Sequence, residues 1–391
     1  MNAAVSGGSI LFIITAALIA YAYKGFDVLL SLLVALRGGP GLLRDKTIEP
    51  TVTIFIPAYN EEKVIAAKIE NCLALDYPPE KLEIMVCSDC SSDRTVEKTR
   101  KYLARGITLF DYRERGGKAG LINKSLPRAK GEIVVLTDAN TMFAPDAVRA
   151  MVGLYTSDTV GAVLGEVKLS VPPGGRGVGK EVAYRDAEAK LKYKEGLFGA
   201  SIGGFGGFYS IRKTLFTPLP ANAYSNDDLL IAVRILARGL RVVFDPTAVS
   251  HEETGLSVAE EFKRRVRIGA GNFQAFFMLF ALLNPLRGWA FLFYMSHKVL
   301  RWFSPFLLCA LFIVNIALVN IQFFKILFVC QCAFYAIAAL GILTGRLKIV
   351  VPGVSAIHHF VWMNIAVFFG FFRCIRGIKS ATWESTQRSQ G

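Results

Sequence analysis

Two acidic clusters mark where this chain could do chemistry. Thr137-Asp138-Ala139-Asn140 directly follows the run Glu132-Ile133-Val134-Val135-Leu136, and Ser225-Asn226-Asp227-Asp228-Leu229 lies well downstream. A short β-branched run that ends in an acidic turn suits a cation-bound phosphate. A second carboxylate elsewhere suits a general base. Long apolar segments flank both clusters, so a soluble, charged donor would meet a product that stays in, or crosses, a bilayer.

The elements that must position these groups read as one α/β domain over residues 41–256. Val52–Ile56, Leu82–Cys87 and Glu132–Leu136 are short runs bounded by turns, and helical patterns cover Glu61–Leu75 and Asp93–Ala104. Strands alternating with helices predict a parallel sheet with covered faces. Ligands then bind at the carboxyl ends of the strands. Tyr59-Asn60-Glu61, Asp89 and Asp138 all fall at such ends.

The rest of the chain looks like membrane. Of 391 residues, 53% are hydrophobic, which is too many for an ordinary soluble protein. The net charge of +14 fits attraction to anionic lipid headgroups. No nucleic-acid motif accompanies it, so nucleic acid is not an expected partner. The seven cysteines form no framework. Cys87 and Cys90 make a C-x-x-C with no second pair or His cluster to complete a zinc site, and all seven read as reduced and structural.

Ser9 to Leu36 would make a helix about 42 Å long, enough to span. Arg37, Arg44 and Lys46 follow it and place its carboxyl end in the cytoplasm. Lys24 and Asp27 sit three apart within it and can neutralise each other. Val258 to Asn284 begins basic and amphipathic and suits a helix on the membrane surface. His297, Lys298 and Arg301 interrupt a would-be span. Ser304–Val319, Ile321–Thr344 and Val354–Phe372 are three further apolar segments, and the basic tail with Arg373, Arg376 and Lys379 should stay inside. Three spans after the domain would put that tail outside, a conflict the sequence leaves open. The expected organisation is a membrane helix in 1–40, the α/β domain in 41–256, interfacial helices in 257–302, membrane segments in 303–376 and a cytoplasmic tail in 377–391. Nothing bears on oligomeric state.

Further motifs accompany the acidic clusters in a fixed order. Phe55-Ile56-Pro57-Ala58-Tyr59-Asn60-Glu61-Glu62 sets a proline and a polar turn at the first strand's end. Ser88-Asp89-Cys90-Ser91-Ser92-Asp93 follows the second strand, with Asp93 suited to cap the next helix. In Gly116-Gly117-Lys118-Ala119-Gly120-Leu121-Ile122-Asn123, glycines let the backbone approach a ligand and Lys118 offers a point charge for a diphosphate. In Asp138-Ala139-Asn140, alternation points both polar side chains the same way. Ile202-Gly203-Gly204-Phe205-Gly206-Gly207-Phe208-Tyr209 interleaves glycine with aromatics, which suits stacking on a sugar face. Arg264-Arg265-Val266-Arg267-Ile268 lies in the basic helix, and Trp383 and Arg388 lie in the tail.

Taken together, the ordered set resembles the membrane-bound family 2 glycosyltransferases with a GT-A, Rossmann-like fold, closest to the cellulose, chitin, hyaluronan and poly-N-acetylglucosamine synthases. The resemblance implies an inverting transfer from a nucleotide sugar, UDP-linked in most relatives, to a saccharide or lipid acceptor at the cytoplasmic membrane. By it, Pro57, Ala58, Tyr59, Glu61, Asp89, Lys118, Asn123, Asp138, Arg264 and Arg267 bind the donor, with Asp89 on the base. Asp138 and Asn140 hold Mg²⁺ or Mn²⁺, and His251 lies where some GT-A enzymes place a metal-binding histidine. Gly207, Phe208 and Ile268 meet the acceptor. Asp228, beside Asp227, is the general base. The neutral Asn140 stands where Asp is commoner, which implies modest metal affinity. Arg264 replaces a Gln, and Ile268 replaces the Trp that stacks on the acceptor in processive members, which weakens the case for a long polymer. Single-sugar transfer to a lipid and a catalytically silent sugar-nucleotide-binding subunit are the alternatives.

Overall fold

The computed structural model describes residues 3–38, 41–170, 178–220, 223, 226–253, 258–346 and 351–377. Lys379, Trp383 and Arg388 lie outside them. The chain divides into two compact units. One is α/β and spans mainly Leu30–Leu256 and Phe277–Tyr294; the other is helical and comprises Met1–Leu29, Ser257–Phe276 and Met295–Gly377.

The α/β unit is built on one eight-stranded sheet: β1 (Val52–Ala58), β2 (Leu82–Asp89), β3 (Thr108–Tyr112), β4 (Ile133–Thr137), β5 (Thr141–Phe143), β6 (Val160–Ser170), β7 (Phe208–Arg212) and β8 (Arg241–Glu253). Its order is β3-β2-β1-β4-β7-β6-β8-β5. The first four strands are parallel, as their buried, β-branched sequences require. The sheet as a whole is mixed rather than parallel. β7 runs antiparallel to both β4 and β6, β6 and β8 are parallel, and β5 is antiparallel to β8. The reversal has a consequence for the site. Because β7 is antiparallel, its first residues Phe208 and Tyr209 pair with Thr137 and Leu136, at the carboxyl end of β4.

Helices are numbered through the whole chain: α1 (Ala3–Ala20), α2 (Phe26–Arg37), α3 (Ile65–Leu73), α4 (Thr95–Arg100), α5 (Gly117–Ser125), α6 (Ala147–Val152), α7 (Val178–Leu197), α8 (Asp227–Ala237), α9 (Val258–Met278), α10 (Trp289–Phe293), α11 (Leu300–Ala317), α12 (Gln322–Arg346) and α13 (Pro352–Ile375). α3 begins at Ile65 rather than Glu61, because the Glu61 carbonyl accepts from the amides of both Val64 and Ile65 in an irregular first turn. Asp93 lies one residue before the cap position of α4, which Arg94 occupies, and its carboxylate accepts from the Thr95 amide at 2.9 Å. Pro57 does not end β1. It pairs with Cys87 of β2, while pairing on the β4 side stops at Phe55, so its missing amide proton leaves no ladder partner unmet. The core between sheet and helices gathers Ile54, Ile56, Ile65, Ile69, Val86, Val135, Val148, Val163 and Phe208.

Among the described residues, four helical segments are long and apolar enough to cross a membrane: Val5–Arg37, Trp289–Ala317, Gln322–Thr344 and Gly353–Ile375. His297, Lys298 and Arg301 therefore do not interrupt the helix. The helix runs through them by widening into a π-helical turn over Tyr294–Val299. Within the helical unit α9 packs against α13 through glycines: a Cβ on Gly370 would lie 2.8 Å from the Ala270 amide nitrogen.

Arg44, expected only to orient the membrane helix, is bound into the α/β unit. Its guanidinium donates to Asp245 Oδ1 at 2.8 Å, to Thr247 Oγ1 at 3.0 Å and to the Ala150 carbonyl at 2.5 Å. Asp245 is wholly buried. Replacing Arg44 by Met leaves that carboxylate only its hydrogen bonds from Thr247 and no cation, and the unfolding free energy should fall by roughly 3 kcal/mol, a loss of several degrees in the melting temperature of the purified protein in detergent.

Candidate active site

The site grows from the strand ends of the α/β unit. Gly117 opens α5 with a φ of 68°, a backbone that glycine tolerates, and this places Lys118 on the helix's first turn. The Lys118 ammonium lies 2.9 Å from Asp138 Oδ1 and 3.2 Å from Asp227 Oδ1, and 3.5 Å from the Gly206 carbonyl. Three segments far apart in sequence thus meet at one nitrogen. Desolvation works against its charge, but Asp138, Asp227 and Asp228 outweigh that and hold Lys118 above its ordinary value.

The two adjacent aspartates differ in their surroundings. Asp227 Oδ2 accepts from the Tyr209 hydroxyl at 2.6 Å, while its other oxygen faces Lys118. Burial pushes its carboxyl up; Lys118 resists and Asp228 adds to the rise. Asp228 has no hydrogen bond or ion pair among the described residues. Its carboxylate borders the glycine loop, since a Cβ on Gly204 would lie 3.4 Å from Asp228 Oδ2. Asn226 stands at the cap position of α8, but its own backbone is left-handed, at a φ of 66°, and its side chain makes no cap hydrogen bond.

α7 supports the glycine loop from beneath. Lys192 is buried and donates to the Ile202 and Gly203 carbonyls at 3.3 and 2.5 Å, and Glu195 accepts from the Ile202 amide at 3.1 Å. The Arg185 and Lys192 cations each lie 5.2 Å from the centroid of the Phe205 ring. Gly207 is required where it stands, because a Cβ there would meet Thr141 Oγ1 at 2.6 Å. On the neighbouring β6, burial pushes the Glu166 carboxyl up to about 7 against the pull of Lys168, with Arg185 and Lys192 also opposing the rise.

At the other edge, Asp89 is buried at the end of β2. Its two oxygens accept from the Gly116 and Gly117 amides at 2.7 and 3.0 Å, and Arg115 Nε lies 3.7 Å away. The Arg115 guanidinium carbon in turn sits 3.4 Å from the centroid of the Tyr59 ring. Asp89 therefore holds the glycine turn that presents Lys118.

Several expected site residues are placed otherwise. Phe208 is fully buried against Phe143, ring centroids 4.6 Å apart, and has no surface to offer a sugar. The more open ring of the motif is that of Phe205. Asn123 spends both ends of its amide on the Leu219 backbone, at 2.8 and 2.7 Å. Pro57 and Ala58 are buried in β1, and Glu61 takes part through its backbone, the amide donating to Thr95 Oγ1 at 2.8 Å. His251, on β8, pairs in register with Met142 of β5, and alternation turns its side chain away from the face of Glu252. Glu252 is the residue that meets the acidic turn, accepting from Asn140 Nδ2 at 3.3 Å. Arg264, Arg267 and Ile268 lie on α9 of the helical unit. Sequence reasoning missed Tyr209, Glu252, Arg115, Lys192 and Lys68. Tyr209 had a signal, since it ends the glycine–aromatic motif as the second residue of β7.

The arrangement, acids and a lysine at the ends of a mixed α/β sheet, suits a glycosyltransferase. Comparison with known proteins agrees. Residues 53–215 match the profile of glycosyl transferase family 2. Poly-beta-1,6-N-acetyl-D-glucosamine synthase of Staphylococcus aureus is 27% identical over 224 residues, 56% of this chain and 54% of that protein. Beta-monoglucosyldiacylglycerol synthase of Trichormus variabilis is 36% identical over 118 residues, 29% of this chain and 25% of that protein. The chain thus spans about half, or less, of the curated relatives it matches. A mannosyltransferase of Pyrobaculum calidifontis, solved with GDP-Man and Mn²⁺, superposes with a TM-score of 0.69 at 23% identity, over 93% of this chain and 99% of that one. Residues 53–215 of the α/β unit are thus a family 2 glycosyltransferase domain, and the unit has a GT-A fold.

The Glu166 shift makes a pH prediction. A carboxyl raised from 4.5 to about 7 contributes stability that is fully present below the lower value and is lost as pH rises through the upper one. Glu166→Gln removes that titration. The variant should therefore gain on the wild type between pH 4.5 and 7, by roughly 1–2 kcal/mol after solvent screening, and the difference should level off above; melting temperatures across that range measure it.

Proposed function

We propose that this protein is an inverting glycosyltransferase that moves a sugar from a nucleoside-diphosphate donor to an acceptor hydroxyl at the membrane. The observation that carries the reading is the contrast between the neighbouring aspartates. Asp227 is engaged by Lys118 and Tyr209, whereas Asp228 is unengaged beside the glycine loop. Asp228 takes the proton from the acceptor hydroxyl as its oxygen attacks the anomeric carbon. The bond to the diphosphate oxygen breaks on the opposite face, so an α-linked donor yields a β-linked product. Lys118 lies where charge develops on the leaving diphosphate.

The site fits a divalent cation. Asp138 and Asn140 offer hard oxygens on one turn, and the Lys118 ammonium already takes up a cation's position against Asp138. No cluster of three or more His, Cys, Asp or Glu side chains among the described residues forms a metal site by itself. The diphosphate would supply the remaining oxygens, as is usual for Mg²⁺ or Mn²⁺ beside phosphate. Bound there, the ion would offset charge on the diphosphate. Arg267, and Arg264 beside it, are proposed to add positive charge.

The four apolar helices and the poly-N-acetylglucosamine synthase relatives favour a growing β-linked saccharide as acceptor, with UDP the nucleotide that the family resemblance of the motifs implies. The glucolipid synthase match and the Ile268 substitution favour a second reading, one sugar added to a lipid. Nucleotide release in lipid nanodiscs with Mg²⁺ or Mn²⁺, against panels of UDP- and GDP-sugars, followed by mass spectrometry, separates them. A ladder of sugar units supports the saccharide; a single addition to lipid supports the glycolipid; no release with any donor overturns the enzyme. Asp228→Asn should lower turnover about 10²- to 10⁴-fold while nucleotide binding stays near wild type. Lys118→Met should lower kcat/KM about 10²- to 10³-fold, with weaker nucleotide binding.

A further inference from the structure

α3 buries Ile65, Ile69 and Cys72 on one face, and Lys68 stands in that same apolar stripe with no exposed surface. Its ammonium donates to Thr137 Oγ1 at 3.1 Å and to the Thr141 carbonyl, and lies 3.5 Å from the centroid of the Phe143 ring. Thr137 and Thr141 bracket Asp138-Ala139-Asn140. An ammonium can only donate, so the Thr137 hydroxyl must accept from it and turn its own proton elsewhere. That proton goes to the Asp138 carbonyl at 3.3 Å, which also accepts from the Thr141 amide at 3.2 Å. One turn further along α3, Asn71 exchanges hydrogen bonds of 2.9 and 2.8 Å with the Phe143 backbone.

Burying this charge is costly. No carboxylate lies within ion-pair distance of Lys68 among the described residues. Burial depresses it to about 8, and Asp138 is among the groups that resist the fall. A methionine would fill the same space without a desolvation penalty of several kcal/mol. Packing alone does not account for a lysine here, whereas the turn it grips bears the candidate cation ligands.

We propose that Lys68 is a positioning residue for the donor site: its ammonium clamps both ends of the 137–141 turn, so that Asp138 and Asn140 present their oxygens to a divalent cation carried in with the nucleoside diphosphate. The proposal rests on the glycosyltransferase reading. Its test is Mn²⁺ titration by electron paramagnetic resonance on the full-length protein in nanodiscs, with UDP and with GDP, for wild type, Lys68→Met and Thr137→Val. Lys68→Met should weaken Mn²⁺ binding about 10- to 100-fold in the presence of nucleotide. Thr137→Val should shift it in the same direction. At saturating Mn²⁺ both variants should recover most of the wild-type kcat, a rescue that general loss of structure would not permit. Folded Lys68→Met with wild-type Mn²⁺ affinity overturns the proposal. If Lys68→Met does not fold, unchanged affinity in Thr137→Val overturns it. Absence of Mn²⁺ binding by the wild type with either nucleotide overturns the cation reading of Asp138 and Asn140, and with it the role proposed for Lys68, while nucleotide release tests the transferase separately.

Discussion

One ammonium among carboxylates governs the geometry of the α/β unit. Lys118 is the point at which α5, the turn after β4 and the first turn of α8 meet, through Asp138 and Asp227. Without a cation there, three aspartates would crowd one partly desolvated space, and their mutual repulsion would force them apart or protonate them. The chain supplies an internal positive charge and so keeps the acids together. The same arrangement suits a phosphate-bearing ligand, whose own charge and accompanying cation can exchange for those contacts. Tyr209 completes it by holding Asp227 from the sheet side. That leaves Asp228, on the next residue of the same helix, as the carboxylate with freedom to react.

The strand ends were legible in the sequence because burial writes itself into composition. Ile133–Leu136 and Val52–Ile56 are fully buried and β-branched, and the polar residues that follow each must lie at its carboxyl end. The order of the glycine, lysine and acidic motifs was equally legible, and it pointed to the family that the domain matches. What was not legible is the direction of β7. Antiparallel and parallel pairing use the same residue types, and the reversal comes from the glycine loop that leads back from α7 towards Thr137. Phe208 shows the cost of that gap. Its neighbours suggested an exposed stacking ring, but register with Thr137 fixes it as core, and the alternate residue Tyr209 turns towards the acids. Lys68 was hidden for a different reason. A lysine in an apolar helical stripe reads as a solvated interruption until the partner that justifies it is known.

Lys68 is one instance of a rule that runs through both units. Lys192 is also buried, and it too donates to backbone carbonyls, those of Ile202 and Gly203. Lys213 reaches the Ala129 carbonyl in a connection between α5 and β4. In the helical unit, Arg301 donates to the Ala22 carbonyl at 3.1 Å, within the π-helical turn of Tyr21–Gly25. Each acceptor lies in backbone that is neither regular helix nor central strand, where carbonyls lack their usual partners. A long cationic side chain reaches such a carbonyl from a neighbouring element and satisfies it.

This rule explains why His297, Lys298 and Arg301 do not end the helix that contains them. In a hydrocarbon setting an unpartnered polar group costs more than in water, so charged residues persist there only where partners wait. The π-helical turns over Tyr21–Gly25 and Tyr294–Val299 each release carbonyls from the regular ladder. The Tyr21 hydroxyl and Ser296 Oγ lie 2.9 Å apart, the buried His297 ring stacks on Phe26 at 6.2 Å, and Arg301 takes the Ala22 carbonyl. The polar groups and the irregular backbone are therefore one feature. Counting charges along the sequence detects the residues but not the carbonyls they serve, which is why the interruption in hydropathy is not an interruption in the helix.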